Sequence, residues 1–261
     1  MSEPFEVVAI RYGTLRGRKS ELVYRYESYG DPDVEVEMAY YFWLLRRPGE
    51  TVLVDTGFDP AVGARRGRTC VWSPTEALGA LGVEPSEVGT VLVTHFHYDH
   101  IGNLDAFPRA QIVIPRKELD FWRGPIATRT QFAAHVEPAE IARVERAVDD
   151  GRVRLTEGEE EVLEGVTALS VGGHSPGQQV TTVAVADGLV ALASDAVHFY
   201  EELELDRPFG VIADLAQMYE AYDVLKEMAA SGATVVPGHD PDVLRRHPAV
   251  DDSKGNAVRL G

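Results

Sequence analysis

The residues of this chain best suited to chemistry are histidines and aspartates that follow short apolar segments. The 261-residue chain has eight histidines, and three of these lie with one aspartate inside six consecutive positions. Neutral imidazole nitrogens and carboxylate oxygens are the donors that zinc and similar divalent metals prefer. The candidate donors are His95, His97, Asp99, His100, His174, Asp195 and His239.

Seven donors are too many for one ion of tetrahedral or five-coordinate geometry. Two ions that share Asp195 and a water molecule can use all of them. The alternative is that these are ordinary buried polar residues. Packing three histidines and an aspartate so closely without a metal would leave several polar groups to satisfy. The sequence therefore predicts a dinuclear centre, and with it hydrolysis by a metal-bound hydroxide.

Short apolar segments ending in Gly, Asp, His or Pro predict the strands that position these donors. Predicted helices at 74–81, 138–148 and 215–230 carry apolar residues at helical spacing or capping signals. This mixture predicts an α/β architecture in which helices cover sheets. The predicted strands are 35–45, 51–55, 90–94, 111–114, 166–171, 179–186, 189–193 and 233–236.

The composition excludes several classes of function. The chain has 25 Lys and Arg against 42 Asp and Glu, a formal net charge of −17. That charge argues against a nucleic-acid footprint and against an anionic membrane surface. The single cysteine, Cys70, excludes an internal disulfide framework and a zinc site built on several thiolates. We interpret Cys70 as a core thiol.

No apolar run of about 18 residues predicts a membrane span. The stretch Met1–Pro4 lacks the basic and apolar regions of a secretory signal. We therefore expect a cytoplasmic protein without nucleic-acid or membrane partners. The length is compatible with one domain over residues 1–261.

The pattern His95-x-His97-x-Asp99-His100 resembles the signature of the metallo-β-lactamase superfamily. Asp55-Thr-Gly57, Gly173-His-Ser-Pro-Gly177 and Gly238-His239 occur in the order of that superfamily, so the resemblance covers about 51–240. It implies an αβ/βα sandwich of two mixed β-sheets flanked by helices, with the metal centre at one edge. It also implies that Asp55 supports the centre from behind the metal ligands.

The resemblance implies two divalent ions, with zinc preferred and Mn, Fe or Co as alternatives. Asp195 would bridge the ions, and three further donors would complete each site. The implied ligands are His95, His97 and His174 for the first ion and Asp99, His100 and His239 for the second.

Within the superfamily, the stretches 97–103, 173–178 and 238–240 look most like those of the N-acyl homoserine lactonase group. That likeness implies ring opening of a small-molecule lactone, a role in quorum quenching and a homodimer. Asp99 would protonate the leaving alkoxide. Where these lactonases carry a tyrosine that contacts the substrate carbonyl, this chain has His198, which could donate a similar hydrogen bond.

The departure at His198 leaves another lactone or an ester open as the substrate. Tyr200, close in sequence to this position, is a further candidate for contact with the substrate. The stretch 121–135 predicts a cap over the substrate, with Trp122 and Phe132 as contacts. The alternative is a solvated connection.

Two other functions stay open from the sequence. Thioester hydrolysis of the glyoxalase II type uses the same ligand set. That family adds a basic helical region after the last ligand, whereas only residues 240–261 follow His239 here. A non-catalytic binding module that kept the fold is less compatible with seven filled donor positions.

Overall fold

A computed structural model describes residues 3–261 of the chain. Met1 and Ser2, which belong to the stretch where no secretory signal is expected, lie outside the described residues. The strands of the described part are β1 Glu6–Arg18, β2 Glu35–Arg47, β3 Glu50–Val54, β4 Thr69–Cys70, β5 Thr90–Leu92, β6 Gln111–Pro115, β7 Val153–Thr156, β8 Glu159–Leu163, β9 Val166–Ser170, β10 Gln179–Val185, β11 Gly188–Ser194, β12 Thr234–Pro237 and β13 Ala257–Arg259.

Ten α-helices connect or cover these strands within residues 3–261. They are α1 Lys19–Leu22, α2 Pro60–Arg65, α3 Pro74–Ala80, α4 Tyr98–Ile101, α5 Arg116–Arg123, α6 Thr130–Ala133, α7 Pro138–Asp149, α8 Tyr200–Leu205, α9 Leu215–Ala230 and α10 Val243–Arg246. Short 3₁₀ helices lie at Tyr26–Tyr29, Pro85–Glu87, Leu104–Ala106 and Pro125–Thr128.

The strands form two mixed sheets. The eight-stranded sheet has the order β13-β1-β2-β3-β5-β6-β7, with β4 also paired to β1. The five-stranded sheet has the order β12-β11-β10-β9-β8. Strands β3, β5, β6 and β7 run parallel, as do β11 and β12.

Three apolar clusters hold the layers together. One lies between the two sheets, and one on the outer face of each sheet beneath its helices. Strand β2 shows how the sequence produces this layering, because its side chains alternate across the sheet. Tyr40 and Phe42 face the outer cluster, whereas Tyr41 and Trp43 face the cluster between the sheets. Apolar residues on both faces keep the middle of this strand buried.

The structure confirms the predicted sandwich of two mixed sheets flanked by helices. The predicted strands are present with ends shifted by at most two residues, and the helices at 74–80, 138–149 and 215–230 are found as expected. The long strand β1 is not among the predicted strands, because glycines and arginines interrupt its apolar residues. Cys70 packs half-buried against the outer cluster of the larger sheet.

The sheet topology brings the ends of five strands to one edge of the sandwich. Strands β3 and β5 are parallel neighbours, and β11 and β12 are parallel neighbours in the other sheet. Strand β9 has the same direction as β11, because both strands pair antiparallel to β10. Each of these five strands is followed by a candidate donor or by Asp55. Across residues 3–261, no helix is both long and apolar enough to cross a bilayer.

Candidate metal centre

The first four donors follow strand β5. The sequence predicts a strand up to residue 94, but β5 ends at Leu92 and an irregular segment, with bends at Thr94 and His97, leads to α4. His97 then precedes the short helix α4, whose first turn carries Asp99 and His100. This bent segment, followed at once by a helical turn, brings the four side chains to one place. The rings of His95 and His97 are 4.4 Å apart between centroids.

Two of the other donors, His174 and Asp195, follow tight turns. Gly172 and Gly173 have positive φ angles of 69° and 88° before His174. A Cβ atom at Gly173 would lie 2.7 Å from the Cα of Met218, so a side chain does not fit there. Ser194 also has a positive φ, of 48°, immediately before Asp195. Such backbone conformations are costly for residues other than glycine and concentrate at functional sites.

The structure brings all seven predicted donors together and buries them. Atoms of His95, His97, His174 and Asp195 that could bind a metal lie within 4.8 Å of one another. The Nε2 atom of His174 is 3.2 Å from Oδ2 of Asp195 and 2.9 Å from Nδ1 of His97. This group forms one side of the centre.

A second group, of Asp99, His100 and His239, meets the same limit of 4.8 Å. The Nε2 atoms of His100 and His239 are 3.2 Å and 3.0 Å from Oδ1 of Asp195. Asp195 therefore turns one carboxylate oxygen to each group. That arrangement suits a carboxylate that bridges two ions.

Outer partners fix the rings of several donors. Oδ2 of Asp55 lies 2.7 Å from Nδ1 of His100, and the carbonyl oxygen of Ala39 lies 2.8 Å from Nδ1 of His239. Each contact leaves Nε2 of its ring facing the cluster. A hydrogen bond of this kind selects the tautomer and orientation of a ligating histidine. Asp55 also accepts hydrogen bonds from the backbone N–H and the hydroxyl of Thr94, both at 2.8 Å.

The charge states of His95, His97 and His174 suit metal ions. Burial, followed by the neighbouring imidazoles, holds the pKa of His95 and His97 well below the usual value. Burial also lowers the pKa of His174, against the attraction of Asp195. These rings are therefore neutral, the form that binds metals. Burial opposes ionisation of Asp195, yet the histidines around it, His239 first, hold its pKa well below the usual value.

Unpartnered nitrogens provide a direct test of fit. Nε2 of His95 and Nε2 of His100 are buried, and neither has a hydrogen-bond partner within the described chain. Buried polar atoms without partners are rare in folded proteins and call for an explanation. Both atoms face the cluster of donors, so a bound cation would satisfy them. The donor set therefore fits two divalent ions.

Glu118 in α5 joins the loops that carry donors from the two sheets. Its carboxylate accepts hydrogen bonds from the backbone N–H groups of Phe96 and Gly177, each at 2.9 Å. It also accepts from the hydroxyl of Ser175 and, at 2.7 Å, from the indole N–H of Trp122. Burial raises the pKa of Glu118, and these hydrogen bonds oppose that rise.

A cavity of about 100 Å³ lies beside the first group of donors. Trp122 and Phe132, the predicted cap residues, line it together with His135, whose ring lies 5.2 Å from that of His97. Among residues 3–261, no Lys, Arg, Asp or Glu lines this cavity. The segment 210–213 forms another part of the cavity wall.

The structure does not bring His198 and Tyr200 into this cavity. His198 is fully buried, with Nε2 3.1 Å from Oδ2 of Asp195. Burial lowers the pKa of His198, but the carboxylates of Asp195 and Glu202 outweigh burial and raise it to about 9. Tyr200 lies on a separate groove, with its ring against the guanidinium of Arg246.

Sequence reasoning does not single out Glu118 or the wall segment 210–213. A lone glutamate in an eight-residue helix looks like a solvated residue, and nothing local marks its burial. The segment has no motif, and its place depends on long-range pairing. The backbone N–H of Gly210 donates to Leu22 at 2.6 Å, and that of Ala213 donates to Gly173 at 2.8 Å.

Comparison with known proteins places this geometry in a family. A family model described as the metallo-beta-lactamase superfamily matches residues 37–239. The N-acyl homoserine lactonase of Bacillus cereus is 30% identical over 166 residues, 62% of this chain and 60% of that protein. The chain thus spans less than two thirds of that relative's length.

Two further similarities cover more of the chain. The N-acyl homoserine lactonase AttM of Rhizobium radiobacter is 26% identical over 229 residues, 80% of this chain and 84% of that protein. The solved structure of AidC, a dizinc quorum-quenching lactonase, superposes with a TM-score of 0.72 at 20% identity, covering 92% of this chain and 89% of AidC. The family match spans most of the chain and includes every candidate donor. The chain belongs to the metallo-β-lactamase superfamily.

Proposed function

We propose that this chain is a dinuclear metal-dependent hydrolase that opens the ring of a small neutral lactone. The observation that carries the proposal is the buried cluster of seven donors beside an uncharged cavity. The proposal includes residues 1–261 as one catalytic domain, because both sheets supply donors. Two divalent ions, when bound, would activate a water molecule and polarise the substrate carbonyl.

The protein's own residues have separate tasks in this proposal. His95, His97 and His174 hold the side of the centre that faces the cavity, and Asp195 joins it to the other side. The water oxygen adds to the carbonyl carbon, the ring C–O bond breaks, one water proton passes to the leaving oxygen, and the other is released as the carboxylic acid product ionises. Asp99 moves the proton to the leaving oxygen, because its carboxylate lies at the centre within 3.6 Å of His100 Nε2.

The cavity favours a neutral substrate over a charged one. Phosphodiesters and glutathione thioesters are anionic, and no lysine or arginine of the described chain lines the cavity to receive them. The neutral rings of His97, Trp122 and Phe132 suit a lactone head group. At about 100 Å³ the cavity is also smaller than typical ligand pockets of ~300 Å³ or more.

The names of the relatives refine the proposal. Because the relatives are N-acyl homoserine lactonases, we propose such lactones as the first substrates to test, with quorum quenching as the role. Zinc is the proposed metal, following the dizinc AidC. A homodimer and a cytoplasmic location stay predictions from the sequence. Sedimentation of the purified protein tests the first, and cell fractionation tests the second.

Metal analysis of the purified protein tests the centre. We expect two divalent ions per chain, and we expect His97→Ala to lose metal and more than about 100-fold in hydrolysis, because a ligand matters more than its outer partner. His247→Ala is the matched control, because His247 is a half-buried histidine outside the cluster. Unchanged metal content and hydrolysis in His97→Ala would contradict the assignment.

A substrate panel tests the reaction. Acid release in a pH-stat is compared for lactones of increasing acyl length, simple esters, phosphodiesters and glutathione thioesters. We expect hydrolysis of lactones and little or none of the anionic substrates. Acid release confined to the thioesters would overturn the lactonase proposal and leave the metal centre in place.

A further inference from the structure

His198 lies among the metal donors although it is not one of the seven. It follows Asp195 by three residues, in the connection between β11 and α8, and is fully buried. Its Nε2 atom is 3.1 Å from Oδ2 of Asp195. The corresponding distance is 3.2 Å for His174 and 3.9 Å for His95. His198 therefore approaches the bridging carboxylate as closely as the donors do.

The Nε2 atom of His198 resembles the Nε2 atoms of other donors, because it is buried and lacks a hydrogen-bond partner among the described residues. In His100 and His95, Nδ1 contacts an outer partner, whereas Nε2 is buried without a hydrogen-bond partner in the described chain. In His198, Nδ1 lies 3.4 Å from a carboxylate oxygen of Glu202 but makes no hydrogen bond to it or to any other described residue. Its Nε2 is likewise buried and lacks a hydrogen bond to any described residue. Although this Nε2 lies close to Asp195, it is not aligned to donate a hydrogen bond to the carboxylate. Such an arrangement is expected when the nitrogen and the carboxylate oxygen both face one bound ion.

The ring of His198 is held in this orientation. Phe209 stacks on it with centroids 3.7 Å apart and planes 14° apart. The ring of His239 also stacks on that of His198, with centroids 5.3 Å apart and planes 18° apart. Glu202 is fixed in turn, because it accepts the N–H groups of His198 and Phe199 at 2.9 Å and the hydroxyl of Tyr222 at 2.5 Å. A carboxylate held behind a histidine is a recurrent arrangement at metal sites.

We propose that His198 is an eighth donor of the dinuclear centre and binds one of its ions through Nε2. Metal-binding atoms of Asp195, His198 and His239 lie within 4.8 Å of one another, so these three residues define the added coordination. Glu202 is the positioning residue that orients the ring. The inference rests on the metal centre of the proposed function but not on its substrate.

The consequence is chemical as well as structural. A position at one ion that would otherwise take water or substrate is filled by protein. Open coordination positions are what distinguish catalytic from structural metal sites. His198 would thus leave fewer places for a substrate oxygen at that ion.

Cobalt substitution of the full-length protein tests the proposal without reference to activity. Metal-free wild type and His198→Ala are titrated with Co²⁺ against a chromophoric chelator, and visible spectra are recorded. We expect one of the two ions to bind at least about 10-fold more weakly in the variant, since even outer partners of ligands matter that much. We also expect stronger visible absorption, because a lost ligand lowers the coordination number.

A second variant and a direct signal cover the case in which His198→Ala does not fold. His198→Tyr keeps an aromatic ring to stack on Phe209 but lacks imidazole nitrogens, and it should show the same loss of affinity. In the proton NMR spectrum of the cobalt protein, wild type should show one more exchangeable, paramagnetically shifted N–H signal than His198→Tyr. His247→Ala is the control and should match wild type in each measurement.

The outcomes separate this proposal from the proposed function. Equal affinities, equal spectra and equal numbers of shifted signals in wild type and His198 variants would overturn the eighth donor, whatever the enzyme hydrolyses. A cobalt response as expected, in a protein that hydrolyses no lactone, would leave His198 as a ligand and remove the lactonase assignment.

Discussion

Two buried carboxylates, Asp55 and Glu118, flank the candidate metal centre and differ in what they touch. Asp55 contacts the ring of a donor, His100, at 2.7 Å. Glu118 binds two backbone N–H groups, a hydroxyl and an indole, and none of these belongs to the seven donors. The difference shows two ways of supporting a metal site. Asp55 orients a ligand, whereas Glu118 holds the backbone that carries the ligands.

The largest effect on folding is expected at Glu118. Glu118→Ala leaves two buried backbone N–H groups and two side-chain donors without acceptors, each costing about 1–3 kcal/mol. We expect the free energy of unfolding of the metal-free protein to fall by at least about 3 kcal/mol, measured by urea titration. Glu145→Ala, which removes only a surface ion pair with Arg123, should cost less than about 1 kcal/mol. Equal losses of unfolding free energy in the two variants would contradict the role assigned to Glu118.

Asp55→Asn is expected to act mainly on the metal. An amide cannot accept from Thr94 and His100 at both of its ends, so the His100 ring loses its fixed tautomer. We expect metal affinity to fall by about 10–100-fold, measured by chelator competition. Glu118→Gln is the comparison variant and should weaken metal binding less than Asp55→Asn does. The reverse order would contradict the division of roles.

Glu140 on α7 sharpens the comparison, because it is a buried carboxylate with neither oxygen hydrogen-bonded in the part of the chain described. Burial, followed by the charge of Glu137, raises the pKa of Glu140 from 4.5 to about 8. A raised pKa in the folded state means that the unfolded chain ionises first. The contribution to stability is therefore full below pH 4.5 and is lost as pH rises toward 8.

Glu140→Gln should remove this pH dependence. The difference in unfolding free energy between wild type and the variant is measured by urea titration from pH 4.5 to 9. We expect wild type to lose stability relative to the variant as pH rises through this window. A constant difference would show that the carboxyl of Glu140 titrates alike in the folded and unfolded chains.

The smallest effect is expected from Trp122→Phe. This change removes one of the four hydrogen bonds to Glu118 and keeps an aromatic ring beside the cavity. We expect a loss of about 1 kcal/mol in the free energy of unfolding. Metal affinity should stay at the wild-type value, because the indole N–H binds Glu118 and not a ring nitrogen of a donor histidine. A loss of metal affinity would show that Trp122, like Asp55, supports a metal ligand.

The same comparison explains what could be predicted from the sequence. Asp55 could be identified because it ends a strand and precedes a glycine turn within a motif. The seven donors follow strands in the same way, and strand alternation with turn residues is a local signal. Glu118 could not be identified, because its hydrogen bonds join residues 96 and 177, and only the packed fold brings them together.

His198 and Tyr200 show another limit of sequence reasoning. The lactonase resemblance predicted that His198 contacts the substrate carbonyl, and proximity in sequence suggested that Tyr200 lies near the substrate. The turn after Asp195 instead directs His198 to the carboxylate of Asp195 and leaves Tyr200 beside Arg246. Side-chain direction after a turn depends on the backbone angles, and spacing alone does not fix it.

The division of the donors between two sheets has a consequence for folding kinetics. Each group combines two donors that follow β5 with one that follows a strand of the five-stranded sheet, and Asp195 also follows that sheet. Neither sheet alone offers a complete set. Tight metal uptake therefore has to wait until the sheets dock, a step dominated by contacts distant in sequence and expected to be slow. In a refolding experiment, the rate of metal binding would therefore report the rate at which the two sheets dock.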